Sequence, residues 1–87
     1  MKKAVQILNE AGLHARPAQI LVKAATQFSS VIEIEFNGST YNAKSMMKVL
    51  SMGLKKGAEI SIIANGSDEE EAVEALIILI ETKFGEA

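Results

Sequence analysis

The sequence predicts an α+β domain. Four strands and three helices follow in the order β-α-β-β-α-β-α, with an antiparallel or mixed sheet and the helices packed on one of its faces. Three observations carry this prediction. Val31-Ile32-Glu33-Ile34-Glu35-Phe36 has strand alternation and leads into Asn37-Gly38, a strong signal for a two-residue hairpin. Ala18, Leu21, Val22, Ala25 and Phe28 recur at helical spacing between Ala15 and Phe28. Ser67-Asp68-Glu69-Glu70 has the pattern of a capping box and precedes a long apolar run. Glu33 and Glu35 must point away from the core, so one face of the sheet is expected to be wet.

The elements follow in order. Lys3 to Leu8 reads as the first strand, with Val5 and Ile7 alternating against polar neighbours. Asn9 to Gly12 is a loop, and the first helix runs from Ala15 to Phe28. Pro17 belongs in its first turn, where a missing N–H costs nothing. The hairpin leads to a third strand around Thr40 to Ala43. Ser45 then precedes a short helix over Met46-Met47-Lys48-Val49-Leu50-Ser51-Met52, closed by Gly53. Lys55 and Lys56, before Gly57, suit a helix C-terminus if a second turn continues there. Glu59 to Asn65 is the fourth strand, with Ile60 and Ile62 on one face, and Asn65-Gly66 turns the chain. The last helix places Val73, Leu76, Ile77, Ile80 and Phe84 on its buried stripe. Within it, Ala75 to Ile80 is too apolar for a one-sided helix. Deep packing is the favoured reading, and a self-association patch the other.

Bulk properties narrow the function. Eighty-seven residues make one domain, 1–87. A chain of this size buries only about 60% of its unfolded surface. That leaves little room for a deep pocket, so a surface site is expected. No cysteine is present, which excludes disulfides and thiolate metal sites. One histidine excludes a multi-histidine site within the chain, and neither metal nor cofactor is expected. No apolar run reaches the roughly 18 residues of a membrane span. Gln6 and Glu10 also interrupt any signal-peptide core, so a cytoplasmic protein is expected; its oligomeric state is left open by the sequence, with monomer the default. The net charge of −2 is unevenly spread. Residues 1–56 carry eight Lys or Arg and three acidic residues, net +5, whereas residues 57–87 carry one lysine and eight acidic residues, net −7. This is either ordinary solvated surface or a basic face, with Arg16, Lys23, Lys44 and Lys48 meeting an acidic partner protein. Nucleic acid is not an expected partner, because there is no aromatic-plus-basic cluster.

The single histidine lies in Gly12-Leu13-His14-Ala15-Arg16-Pro17-Ala18, where a strand-side loop meets a helix start. By spacing alone His14 is either a plain cap or surface residue, or a nucleophile. The second reading joins three features. Neutral imidazole carries a nucleophilic nitrogen. Helix N-termini present unpaired N–H groups and about half a unit of positive charge. A phosphoryl group on the ring would find donors in first-turn amides and in the Arg16 guanidinium. Phosphoryl transfer asks mainly for in-line positioning and charge stabilisation, which a shallow site completed by a partner can provide. No Walker-type loop is present, so the donor must bring its own machinery.

At these residues the chain resembles HPr, the histidine-containing phosphocarrier family of the bacterial phosphoenolpyruvate-dependent sugar phosphotransferase system. Two further stretches agree. One is Asn42-Ala43-Lys44-Ser45-Met46-Met47, followed by Leu50-Ser51-Met52-Gly53; the other is Lys56-Gly57-Ala58-Glu59-Ile60. The resemblance spans essentially the whole chain. It implies an open-faced sandwich with a four-stranded antiparallel sheet and three helices on one face. It implies that His14 accepts phosphate on Nδ1 from phosphorylated enzyme I and passes it to enzyme IIA domains. Arg16 would assist, with Ala15 and Pro17 forming the helix N-terminus around it. Partners would dock on the first two helices, through Ala18, Val22, Met46, Met47 and Leu50. Exposed methionines suit a surface that must fit several partners.

Ser45 is expected to cap the second helix. The resemblance adds phosphorylation there by an ATP-dependent HPr kinase/phosphorylase in Gram-positive members, and corepression with a catabolite control repressor. Lys48 departs from that branch, whose members usually carry glycine; enteric members carry lysine and lack the kinase. Three alternatives remain at this level. One is the carrier of the nitrogen-regulatory phosphotransferase branch. Another is a regulatory binding module acting through Ser45, although such paralogues lack the histidine. The third is an unrelated interaction domain using Ala75 to Ile80.

Overall fold

The computed structural model describes residues 1–86. The elements are β1 (Lys2–Gln6), α1 (Ala15–Thr26), β2 (Val31–Phe36), β3 (Ser39–Asn42), α2 (Met46–Ser51), β4 (Glu59–Asn65) and α3 (Glu69–Glu81). A short 3-10 turn over Lys83–Gly85 follows. All pairings are antiparallel and the sheet order is β1-β4-β2-β3, so β2 and β4 are central. Ile34 stands opposite Ile62 on one side and Tyr41 on the other, which sets the register of the middle of the sheet. A one-residue slip would turn every apolar side chain of β2 to the wrong face.

Alternation places Ile32, Ile34, Ile60, Ile62 and Ala64 in the core. There they meet Ala18, Leu21 and Ala25 of α1, Val49 of α2, and Ala72, Val73, Leu76, Ile77 and Ile80 of α3. Glu33 and Glu35 lie on the open face, where Glu35 accepts an ion pair from Lys2 at 2.8 Å. The fold is therefore the open-faced sandwich that the resemblance implies. Asn37 and Gly38 both take positive φ, 50° and 81°, as a hairpin turn with right-handed strand twist requires.

Several local expectations are corrected. The first strand ends at Gln6 rather than Leu8, although Ile7 still donates to Ala58 at 2.9 Å and accepts from Gly57 at 2.8 Å. The third strand starts at Ser39, one residue early. The second helix ends at Ser51 and no further helical turn follows; Lys55 and Lys56 lie instead in a tight turn closed by the Ala58 N–H on the Lys55 carbonyl at 3.0 Å. The capping box does not form. Asp68 is the N-cap of α3 and makes no cap bond to the helix. Its carboxylate instead accepts from the Ser30 hydroxyl and from the Ser29 and Ser30 amides, at 2.9 and 3.0 Å for the amides. The Ser30 hydroxyl first, then the Ser29 amide, hold the Asp68 carboxyl down at about 2. Glu69 reaches back to the Gly66 N–H at 3.2 Å. Phe84 is buried, but it sits in the turn after α3 rather than on its stripe. The Ala75 to Ile80 run is mostly packed: Leu76, Ile77 and Ile80 are buried, and Ile78 alone is broadly exposed.

Candidate functional site

The start of α1 is held from beneath by two loops. After Ile7 the chain turns through Asn9 to Gly12, closed by a Gly12 N–H bond to the Asn9 carbonyl at 3.0 Å. Asn9 is fully buried and its Nδ2 donates to the Gly12 carbonyl at 2.6 Å. Gly12 is left-handed, at φ +69°, and a Cβ there would collide with the Leu54 carbonyl oxygen. The next residue, Leu13, is buried and donates its N–H to that same oxygen at 2.9 Å. Lys56 Nζ bonds Glu10 Oε1 at 2.6 Å across the same pair of loops, and this hydrogen bond holds the Glu10 carboxyl below the usual range.

His14 is thus fixed as the N-cap of α1, extended at φ −87° and ψ −168°, with its carbonyl accepting from the Ala18 N–H at 2.9 Å. Its ring makes no cap bond and is 47% exposed. The N–H groups of Ala15 and Arg16 have no acceptor within the helix. Pro17 is buried and has no N–H, so it sets the first turn without donating. Two amides therefore face the site. The Arg16 side chain makes no ion pair or hydrogen bond among the described residues, and α1 adds its positive end.

Two residues join the site that sequence reasoning does not supply. Glu86 Oε1 lies 3.8 Å from His14 Nε2. The same oxygen accepts from Asn9 Nδ2 at 3.2 Å. The chain brings Glu86 back through three consecutive left-handed residues, Lys83, Phe84 and Gly85, at φ 58°, 54° and 77°. The buried Phe84 ring anchors that turn. The available signal was an apolar residue followed by glycine just past a helix end, which marks a chain folding back on its helix.

The residues expected to dock partners divide. Met47 is 84% exposed and Leu50 42%, while Met46 and Val22 are half-buried. Ala18 is fully buried and cannot touch a partner, because it shares the core stripe of α1 with Leu21 and Ala25. Among the expected basic residues Arg16, Lys23 and Lys48 are exposed, but Lys44 donates to the Phe28 carbonyl at 2.7 Å and is half-buried. Ser45 caps α2, its Oγ accepting from the Lys48 N–H at 3.3 Å. No group of three His, Cys, Asp or Glu side chains among the described residues could hold a metal ion. None of the described helices is long and apolar enough to cross a membrane.

A family described as the PTS HPr component phosphorylation site matches residues 1–82. Three solved structures are similar over nearly the whole chain. An HPr from Thermoanaerobacter tengcongensis is 46% identical, with 100% of this chain and 98% of that one covered and a TM-score of 0.97. The phosphocarrier protein HPr of Bacillus anthracis is 44% identical, with 92% and 95% covered and a TM-score of 0.89. Crh of Bacillus subtilis, a catabolite repression protein solved as a swapped dimer, is 38% identical, with 91% of each chain covered and a TM-score of 0.77.

Proposed function

This chain belongs to the HPr family, and we propose that it carries a phosphoryl group on His14 between phospho-enzyme I and the enzyme IIA domains of sugar uptake. The observation that carries this reading is the half-exposed His14 ring at the N-cap of a 12-residue helix. In the first transfer the Nδ1 lone pair forms the new N–P bond while the bond from phosphorus to the donor breaks. In the second, a nucleophile of the acceptor displaces the ring nitrogen, which recovers its lone pair. The Ala15 and Arg16 N–H groups and the Arg16 guanidinium stabilise the anionic oxygens. Charge-assisted hydrogen bonds of this kind contribute roughly 1.5–3 kcal/mol each. The protein is regenerated in each cycle and needs no cofactor. Met47, Leu50, Met46 and Val22 form the apolar part of the docking face, with Arg16, Lys23 and Lys48 as its charge. It works as a cytoplasmic monomer.

A second layer concerns Ser45. A phosphate there would add about −1.5 to −2 charge beside Met46 and Met47, weakening enzyme I docking. This reading is supported by the position of Ser45 at the start of α2 and by the likeness to Crh. An ATP-dependent HPr kinase/phosphorylase and a catabolite control repressor are its partners.

The test is incubation with phosphoenolpyruvate and enzyme I, followed by intact mass. One acid-labile phosphate is expected in the native protein and none in His14→Ala; no label, or equal label in both, overturns the carrier reading. Faster labelling by the nitrogen-branch enzyme I than by the sugar-branch enzyme would move the protein to that branch. ATP with the kinase should give an acid-stable adduct absent from Ser45→Ala, and persistence in that variant disposes of the site.

A further inference from the structure

We propose that Asn9 is a positioning residue for the phosphoryl-acceptor ring: its buried amide holds the Glu86 carboxylate on the Nε2 side of His14, so that the neutral ring keeps its proton there and presents the Nδ1 lone pair. This deepens the carrier reading of His14 and rests on it. The chemistry of the cluster demands an amide at this position. Both groups that Nδ2 faces, the Gly12 carbonyl oxygen at 2.6 Å and Glu86 Oε1 at 3.2 Å, are acceptors. Only a two-proton donor satisfies both. An aspartate would repel both, and a leucine would leave the buried Gly12 carbonyl unpaired and release the part-buried Glu86 carboxylate. The amide is therefore oriented unambiguously, with Nδ2 toward the ring side of the loop. Its Oδ1 has no partner among the described residues, so the loop carries the cost of one orphaned acceptor to keep this donor in place.

The Glu86 oxygen stands 3.8 Å from Nε2, beyond hydrogen-bond length but within reach of its field. A carboxylate beside one ring nitrogen favours the proton on that nitrogen and leaves the other as the nucleophile. Without the Asn9 bond, Glu86 rests only on the left-handed turn at Lys83, Phe84 and Gly85, and its carboxylate is free to move toward water. One side chain thus connects the loop that ends in His14 with the returning end of the chain.

The experiment is a double-mutant cycle read by ¹⁵N chemical shifts of the His14 ring at a pH where it is neutral. Asn9→Leu should lower the ratio of Nε2–H to Nδ1–H tautomer by about threefold, the size of a half-exposed charge contact of ~0.6 kcal/mol. Glu86→Ala should lower it equally, and the double variant should fall no further. An unchanged ratio in Asn9→Leu, or additive effects in the double variant, overturns the proposal, since a residue that merely braces the loop would act regardless of Glu86. If Asn9→Leu does not fold, the native Asn9 Nδ2 proton resonances decide: they must move on Glu86→Ala, and no movement refutes the contact. Labelling by enzyme I and phosphoenolpyruvate is measured alongside. A protein that shows the tautomer shift but takes no label defeats the carrier reading and leaves the contact standing.

Discussion

Gly12→Ala tests how the loop holds His14. The new Cβ would collide with the Leu54 carbonyl oxygen and lie 2.8 Å from Lys55 Cα and 3.2 Å from Lys55 C. All three are backbone atoms, so no flexible side chain can yield. At φ +69° the alanine is also strained, by about 1–2 kcal/mol. The two loops must separate, which stretches or breaks the 2.9 Å bond from Leu13 N–H to Leu54. A lost hydrogen bond adds roughly 0.5–1.5 kcal/mol, bringing the sum to about 1.5–3.5 kcal/mol once the collision is relieved by movement. A domain of 87 residues has roughly 4–13 kcal/mol in total, so the variant should be severely weakened but measurable. Gly38→Ala is the control: φ is +81° and nothing lies within 4 Å of its Cβ, so only the conformational cost applies. Urea unfolding should show a lower midpoint for both at unchanged slope. Gly12→Ala should lose about 0.5–1.5 kcal/mol more than Gly38→Ala. Equal losses would refute the claim that close approach of the two loops places the histidine.

Asp68→Ala should move the acid limb of the stability curve. The native carboxyl is held at about 2 against an ordinary 3.8, so its contribution is complete above the higher value and disappears as pH falls toward the lower. The variant's stability should therefore depend less on pH between those values in acid titrations followed by circular dichroism; an unchanged profile contradicts the assignment. Arg16→Glu should slow labelling by enzyme I while leaving the thermal midpoint within a few degrees, and unfolding would show that the arginine is structural. Met47→Asp should weaken partner docking about tenfold or more with stability changed by less than about 0.5 kcal/mol, because the side chain is 84% exposed. Calorimetric titration with enzyme I checks it, and native affinity removes Met47 from the docking face. Ser45→Ala should lose about 1 kcal/mol through the missing cap on α2, read as a lower urea midpoint; no loss means the 3.3 Å bond to Lys48 contributes nothing.

Much of this protein is written in near-neighbour chemistry. Alternation at Val31 to Phe36, positive φ at Asn37-Gly38 and the apolar spacing of α1 depend on residues within one helical turn or one strand step, so local sequence specifies them. The motif from Gly12 to Ala18 places His14 and Arg16 at a helix start for the same reason. What surrounds the ring depends on where whole elements dock. Asn9 and Glu86 meet beside His14 only because β1 pairs with β4 and the chain after α3 turns back over Phe84. Ala18 carries the ambiguity in miniature: it belongs both to the signature and to the apolar stripe, and core packing decides its place. Asp68 likewise has a capping pattern, yet the Ser29-Ser30 loop outcompetes the helix for its carboxylate. Periodicity is a property of backbone geometry over three or four residues, whereas a charge placed beside a ring from the far end of the chain exists only once the core has closed.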